Sequence, residues 1–165
     1  MTEDIAYVAR AIELAEEAVQ AGNTPFGALI VIDCEVVREA RNTTRTDDDV
    51  TAHPELVLAR WAERALDPDE LASCTMYAST EPCPMCATAI HYAGIDRVVF
   101  GVDGGTLDEL TGSVVTIPAS EVIDRADGTT TVEGPVAAEE AMALHESFYS
   151  SDEQSNERSD DRSGS

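Results

Sequence analysis

The sequence predicts an α/β fold, a three-layer α-β-α sandwich around a mixed five-stranded sheet. Two observations lead to this prediction. Segments with apolar residues at helical spacing alternate with short apolar runs that are bounded by Gly, Pro, Asn or Asp. The elements follow the order α-β-β-α-β-α-β, which is typical of helices packed on both faces of one sheet. At 165 residues the chain is long enough for one such domain and too short for two.

Each element is predicted from its own pattern. Residues 2–21 carry apolar side chains on one helical face and acids on the other, and Gly22 suits the end of that helix. Residues 26–33 read FGALIVID and predict a buried strand, with residues 35–42 as its hairpin partner and a polar loop to residue 50. The remaining predicted elements are a helix over 52–66, a strand over 73–79, a helix over 83–93, strands over 96–101 and 114–117, and a helix over 136–149.

The folded domain is predicted over residues 1–149. From residue 150 onward the chain has no apolar side chain to bury, so 150–165 is predicted to be a disordered acidic tail. No apolar run is long enough to span a membrane. The acidic start, MTEDIAYVAR, is unlike a signal peptide. We therefore expect a soluble, cytoplasmic protein without a membrane partner.

The charge of the chain is strongly negative. It has 33 acidic residues and 10 basic ones, a net charge of −23, and every basic residue is arginine. Repulsion at this density is relieved by salt, since the Debye length falls to roughly 3 Å at 1 M, and this pattern predicts a halophilic protein. A phosphate backbone would meet a repulsive surface, so a small substrate is favoured over nucleic acid.

Two short motifs carry metal and catalytic residue types, TAHPE at 51–55 and TEPCPMC at 80–86, each at the start of a predicted helix. Cys83 and Cys86 are three residues apart, so both thiols can face one centre from a first helical turn, and His53 can supply a third ligand. Three protein ligands leave one tetrahedral position open, as in a catalytic zinc site. The positive ends of the two helices also favour thiolates.

Glu55 follows His53 by two residues and is predicted to act beside the metal. A carboxylate there can take a proton from water and pass it to a substrate nitrogen and a leaving amine. The order H-x-E…P-C-x-x-C is the signature already described for zinc deaminases, so this assignment matches a known pattern.

Alternatives to a catalytic zinc are a redox C-x-x-C pair or half of a structural zinc site. The H-x-E motif has no role in redox chemistry, and a structural site needs a fourth ligand. Cys34, in the predicted hairpin, and Cys74, at a strand start, are predicted to be small core residues. His91 and His145 are predicted to be ordinary surface or packed histidines.

With these motifs the chain resembles the cytidine deaminase-like superfamily, in the branch of guanine deaminases and tRNA adenosine deaminases. The resemblance implies a zinc ion held between two helices, and often a homodimer. By position, Asn42 matches a family asparagine that hydrogen-bonds the substrate, and Phe26 matches an aromatic that lines the base pocket. The matching segments are PFGALIV (25–31), ARN (40–42), TAHPE (51–55), STEPCPMCATAI (79–90) and DRVVFG (96–101).

The chain also departs from this family. Pro54 stands where alanine is usual, which is tolerated at a first helical turn but can change the pocket wall. Guanine deaminases usually have a second acidic proton shuttle after the strand at 96–101. Asp103, Asp108 and Glu109 are candidates for it, and a solvated acidic face is an equally good interpretation of all three.

The resulting function hypothesis is zinc-dependent hydrolysis of an exocyclic amino group on a free nucleobase or nucleoside, with guanine to xanthine and ammonia first. The first alternative is adenosine-to-inosine deamination in tRNA. The acidic charge disfavours it, as does the absence of arginine from residues 136–149. The second alternative is a catalytically inactive zinc-binding module, which gives Glu55 no role.

Overall fold

The structure is a computed structural model that describes the backbone of residues 2–160 and the side chains of residues 2–152. Helices and strands alternate along it in nearly the predicted order. Their bounds are α1 (Thr2–Gln20), β1 (Gly27–Ile32), β2 (Glu35–Arg41), α2 (Pro54–Ala65), α3 (Pro68–Ala72), β3 (Thr75–Thr80), α4 (Pro84–Ala93), β4 (Arg97–Val102), α5 (Gly104–Thr111), α6 (Ala119–Asp124), β5 (Thr131–Glu133) and α7 (Ala138–Asp160).

The strands form one mixed sheet in the order β2-β1-β3-β4-β5. β1 is antiparallel to β2 and β3, whereas β3, β4 and β5 are parallel to one another. The central strands β1, β3 and β4 are buried almost throughout, as expected for strands covered on both faces, whereas the edge strand β2 is largely exposed. The predicted mixed five-stranded sheet is confirmed.

Successive residues of the central strands supply two separate cores, because side chains alternate between the faces of a sheet. One core joins the sheet to α2 and α4, and the other joins it to α1 and α7. The first contains Ala28, Ile30, Leu58, Met76, Ile90 and Val98, and the second contains Val8, Leu29, Tyr77, Val99 and Ala141. The predicted three-layer sandwich is therefore also confirmed.

The fifth strand lies elsewhere than predicted. Residues 114–117 have no strand structure, and Val115 and Ile117 are 62% and 47% exposed, so this apolar segment is not part of the sheet. The edge position is taken by β5, whose Thr131 N donates to Asp96 O at 2.9 Å as the strand joins β4. The prediction of a strand at 114–117 is wrong.

Helix α7 extends further than the predicted helix at 136–149. No glycine or proline interrupts residues 138–160, and an Arg45–Asp152 ion pair of 3.1 Å ties its later turns to the loop after β2. The backbone of residues 150–160 is thus helical, whereas residues 161–165 lie outside the described part, and the disorder of the tail stays a prediction. Neither α7 nor any other helix of the described chain combines the length and apolarity of a membrane span.

Candidate metal centre and active site

His53, Cys83 and Cys86 meet where two helices begin. His53 is the N-cap of α2 and Cys83 is the N-cap of α4, and each helix starts on a proline, Pro54 or Pro84, which needs no hydrogen bond for its missing amide proton. The ligand atoms of the three residues all lie within 4.8 Å of one another. The two motifs therefore converge as the sequence predicts.

The donor geometry fits a tetrahedral metal ion. His53 Nδ1 lies 3.7 Å from Cys83 Sγ and 3.6 Å from Cys86 Sγ. Tetrahedral zinc, with Zn–N and Zn–S bonds of about 2.0 and about 2.3 Å, places nitrogen and sulfur about 3.5 Å apart. One nitrogen and two sulfur donors are a zinc-type set, and three protein ligands leave a fourth position for water.

The two thiols differ in acidity. The hydrogen bond from the Cys86 thiol, assisted by His53, lowers the pKa of Cys83 to about 4. The same bond, together with burial, raises the pKa of Cys86 far above its usual range. Cys83 is thus a thiolate at neutral pH, ready to bind a cation, and metal binding would release the proton from Cys86.

Glu55 is buried beside this cluster, on the first turn of α2. Its side chain is only 4% exposed, and burial raises the pKa of its carboxyl to about 7. A carboxyl with such a pKa can both accept and donate a proton near neutrality, which is what a proton carrier between water and a substrate requires.

Asn42 and Phe26 lie next to each other. Asn42 N donates to Phe26 O at 2.9 Å, and Thr43 N donates to Ala52 O at 3.2 Å, which links this loop to the turn that carries His53. Asn42 is 2% exposed, and its Oδ1 accepts from Thr44 N and Thr44 Oγ1 at 3.0 and 2.9 Å. The amide nitrogen is therefore the group that Asn42 can offer to an acceptor on a ligand.

Two of the three acids after β4 have local structural roles. Asp103 is the N-cap of α5, and its carboxylate accepts from Thr106 N and Thr106 Oγ1, both at 2.8 Å. Those bonds lower the pKa of Asp103. Asp108 Oδ1 accepts from Val114 N at 2.9 Å, and Glu109 is exposed. The geometry assigns none of these acids a role at the metal centre.

Glu81 is a residue of this region to which the sequence patterns assign no role. Its carboxylate accepts from Gly104 N and from Ala119 N, both at 2.8 Å, and so connects the start of α5 to the start of α6. The sequence shows that Glu81 belongs to the TEPCPMC motif, but it does not show which distant backbone amides its carboxylate binds. A cavity of about 270 Å³ lies between these segments and Cys83, lined by Glu81, Pro82, Phe100, Asp103, Val114 and Pro118 among others.

The other cysteines and histidines lie apart from the metal cluster. Cys74 is fully buried, as predicted, but Cys34 is exposed in the β1–β2 turn with a positive φ of 63°, so its predicted place in the core is wrong. His91 is half-buried on α4 and His145 is buried on α7, so they are a partly exposed and a packed histidine, as predicted.

Comparison with known proteins identifies the family. Residues 1–102 match the family described as the cytidine and deoxycytidylate deaminase zinc-binding region. The chain belongs to this family. It is thus a deaminase of the cytidine deaminase-like superfamily, and the convergence of His53, Cys83 and Cys86 agrees with Zn²⁺ as its cofactor.

Relatives of this deaminase are named for different substrates. A probable cytosine deaminase of Schizosaccharomyces pombe is 32% identical over 151 residues, 88% of this chain and 92% of the relative. The guanine deaminase of Bacillus subtilis is 41% identical over 98 residues, 59% of this chain and 63% of the relative. A structure from studies of A-to-I editing by tRNA:A34 deaminases has a TM-score of 0.69 at 28% identity, covering 84% of this chain and 98% of that one.

Proposed function

We propose that this deaminase hydrolyses the exocyclic amino group of a free nucleobase or nucleoside, with guanine to xanthine and ammonia as the first candidate reaction. The observation that carries the proposal is the buried Glu55 beside the converging His53, Cys83 and Cys86. A buried carboxyl with a raised pKa beside a three-ligand metal site has a catalytic use and no evident structural one. This argues against the inactive zinc-binding module.

The residues divide the reaction between them. His53, Cys83 and Cys86 would hold the zinc ion, and a bound zinc ion would supply a Lewis acid that lowers the pKa of water. Glu55 takes one proton from the attacking water and delivers it to the ring nitrogen, and then carries the second proton from the new hydroxyl group to the departing amine. The carbon–nitrogen bond is replaced by a carbon–oxygen bond, and ammonia leaves.

Asn42 and Phe26 are proposed to hold the base. The amide nitrogen of Asn42 makes no hydrogen bond to the described side chains and can donate to a carbonyl oxygen or ring nitrogen, whereas its oxygen is engaged by Thr44. Phe26 is half-buried and offers a planar face on which a base can stack. Both contacts suit a purine or a pyrimidine ring, so the guanine candidate depends on the resemblance around PFGA.

The charge supports a small substrate. A net charge of −23 opposes the approach of a polyanion, and salt weakens charge-driven nucleic-acid binding further. The tRNA alternative is supported by the likeness to the structure from studies of tRNA:A34 deaminases and by a relative named tRNA-specific adenosine deaminase. Cytosine is a further candidate base, because the probable cytosine deaminase matches along nearly its whole length.

An ammonia-release screen tests the proposal. Zinc-loaded protein in molar KCl is incubated with guanine, guanosine, adenine, cytosine, cytidine or deacylated tRNA, and the chelated protein is the control. We expect ammonia from guanine and none after chelation. Ammonia from cytosine but not guanine would retain the free-base class and change the base. Ammonia from tRNA alone would contradict the proposal and favour the alternative.

A further inference from the structure

His145 is a buried histidine that the proposed chemistry does not use. It lies on α7, is 1% exposed and belongs to no sequence motif. Burial lowers the pKa of His145 to about 4, so the ring is neutral near pH 7. A core position normally favours an apolar side chain, because burying a polar ring has a desolvation cost. The contacts of His145 therefore need an explanation.

One side of His145 contacts the end of the central strand β3. Its Nε2 lies 2.9 Å from Oγ1 of Thr80, which is 3% exposed and leads directly into the turn that carries Cys83. The other ring nitrogen, Nδ1, is buried and has no hydrogen-bond partner among the described residues. An unpaired buried nitrogen destabilises a fold. His145 thus occupies a position where one of its ring nitrogens lowers the stability of the fold.

The ring of His145 also supports Phe26. The two ring centroids are 5.2 Å apart with the planes tilted by 55°, and Tyr149 stacks on His145 at 6.1 Å. The backbone of Phe26 is fixed by hydrogen bonds to Thr24 O and from Asn42 N, both at 2.9 Å. With the backbone fixed, contact with the neighbouring His145 ring restricts the rotation of the Phe26 side chain.

We infer that His145 is a positioning residue that holds the Phe26 ring at a set angle to the end of β3, and thereby tightens the binding of a planar base. It acts through Phe26 and does not touch the base itself. The inference rests on the proposed function, because it takes Phe26 as the face on which the base stacks.

This role has a kinetic signature. A stacking face binds the ground state and the transition state about equally, so its misplacement raises KM and leaves kcat unchanged. Losing the alignment of one aromatic contact corresponds to a rise in KM of about three- to tenfold. A residue that only stabilises the fold would change the melting temperature, the zinc content and kcat together.

Four variants separate the ring from its hydrogen bond. His145→Phe keeps a ring and loses the bond to Thr80, whereas His145→Gln keeps a bonding group and loses the ring. His145→Leu loses both, and His91→Leu is the control at a histidine outside the site.

With guanine, or the base that the wild type deaminates fastest, we expect KM to rise about three- to tenfold in His145→Gln and His145→Leu. We expect His145→Phe and the control to stay within about twofold of wild type, and kcat and bound zinc to be unchanged throughout.

A double-mutant cycle keeps the test decisive if His145→Phe does not fold. Phe26→Leu removes the stacking ring, so adding His145→Leu to it should raise KM no further. Additive effects, an unchanged KM in His145→Leu, or a kcat that falls with zinc content would each overturn the inference. A wild type inactive on every free base would contradict the proposed function, whereas an active wild type with unaltered His145 variants would contradict this inference alone.

Discussion

Glu55 combines burial, a raised pKa and a place beside the metal ligands, and its removal is the sharpest test of the chemistry. We expect Glu55→Gln to keep about one zinc per chain and to lower kcat about 10²- to 10⁴-fold, because the side chain keeps its size but no longer carries a proton. Elemental analysis and steady-state ammonia release measure the two effects. Glu63→Gln, at an exposed position on the same helix, should behave as wild type. A zinc-loaded Glu55→Gln with normal turnover would show that protons move through another group.

His145 gives a second residue-level prediction, on stability. Its folded pKa of about 4 lies below the ordinary histidine value of 6.5, because burial disfavours the charged ring. The unfolded chain therefore binds the extra proton first, and stability falls as the pH drops from about 6.5 towards about 4. Thr80, Phe26 and Tyr149 contact this ring, and none of the three carries a compensating charge.

Urea unfolding at pH 7 and pH 5 in fixed KCl checks this expectation. From pH 7 to pH 5 the wild type should lose about 2 kcal/mol of unfolding free energy more than His145→Leu does. Zinc loss and carboxylate protonation occur in both proteins and cancel in the difference. An equal loss in wild type and His145→Leu would mean that the buried ring does not resist protonation.

At the scale of elements, the Glu81 carboxylate connects α5 and α6 beside the metal centre. Glu81→Ala removes the acceptor of both backbone amides, and we expect it to cost about 1–3 kcal/mol for each amide left buried and unpaired. Hydrogen exchange should show lost protection at Gly104 and Ala119, with bound zinc unchanged. Glu109→Ala, at an exposed position on α5, is the control. Unchanged exchange at both amides would show that the segment is held by other contacts.

Much of the layered fold could be predicted because its elements have strong local patterns. The strand at Gly27–Ile32 is apolar throughout, the strand at Arg97–Val102 is apolar after its first residue, and α1 has one apolar face. β5 could not be predicted, since three residues, Thr131–Glu133, carry no periodicity and become a strand only by pairing with β4. The strand predicted from the apolar run at 114–117 is wrong for the opposite reason, because this run has a strand-like pattern but no strand partner in the described structure.

The candidate metal centre was visible because each motif is contiguous in sequence and rich in uncommon ligands. His53, Cys83 and Cys86 stood out by residue type and spacing alone. His145 and the partners of Glu81 did not, because their roles depend on contacts between distant segments. A histidine with no motif around it gives no sign that helix α7 will place it against Phe26. These roles cannot be predicted from the sequence, because they depend on the tertiary placement of the residues and not on local chemistry.

For the whole molecule, the charge predicts a strong dependence on salt. Its cations are few, and some already form ion pairs, such as Arg10 with Glu39 and Arg97 with Asp4. The unpaired acids repel one another, and screening relieves this repulsion. We expect the melting temperature to rise from about 0.1 M to about 3 M KCl, by about 2–4 °C for each kcal/mol of repulsion relieved.

The salt experiment needs a control for excluded-solute effects. Sucrose stabilises by exclusion from the surface without screening charge, so it should raise the melting temperature less than KCl does. A melting temperature that is flat in KCl, or that responds equally to sucrose, would contradict the charge argument and the predicted halophilic character. The homodimer that the family resemblance implies stays a prediction, and sedimentation in the same KCl series would measure it.

The exposed Cys34 provides an internal reference for measuring metal occupancy by thiol labelling. Cys74 and Cys86 are buried, and metal coordination would also withhold Cys83 from alkylating reagents. A maleimide should therefore modify one thiol per zinc-loaded chain, and further thiols once a chelator has stripped the site. Arg38 separates Cys34 from Cys83 in a tryptic digest. Mass spectrometry of the two fragments can then report, in one sample, both the labelling of the surface and the fraction of chains that carry metal.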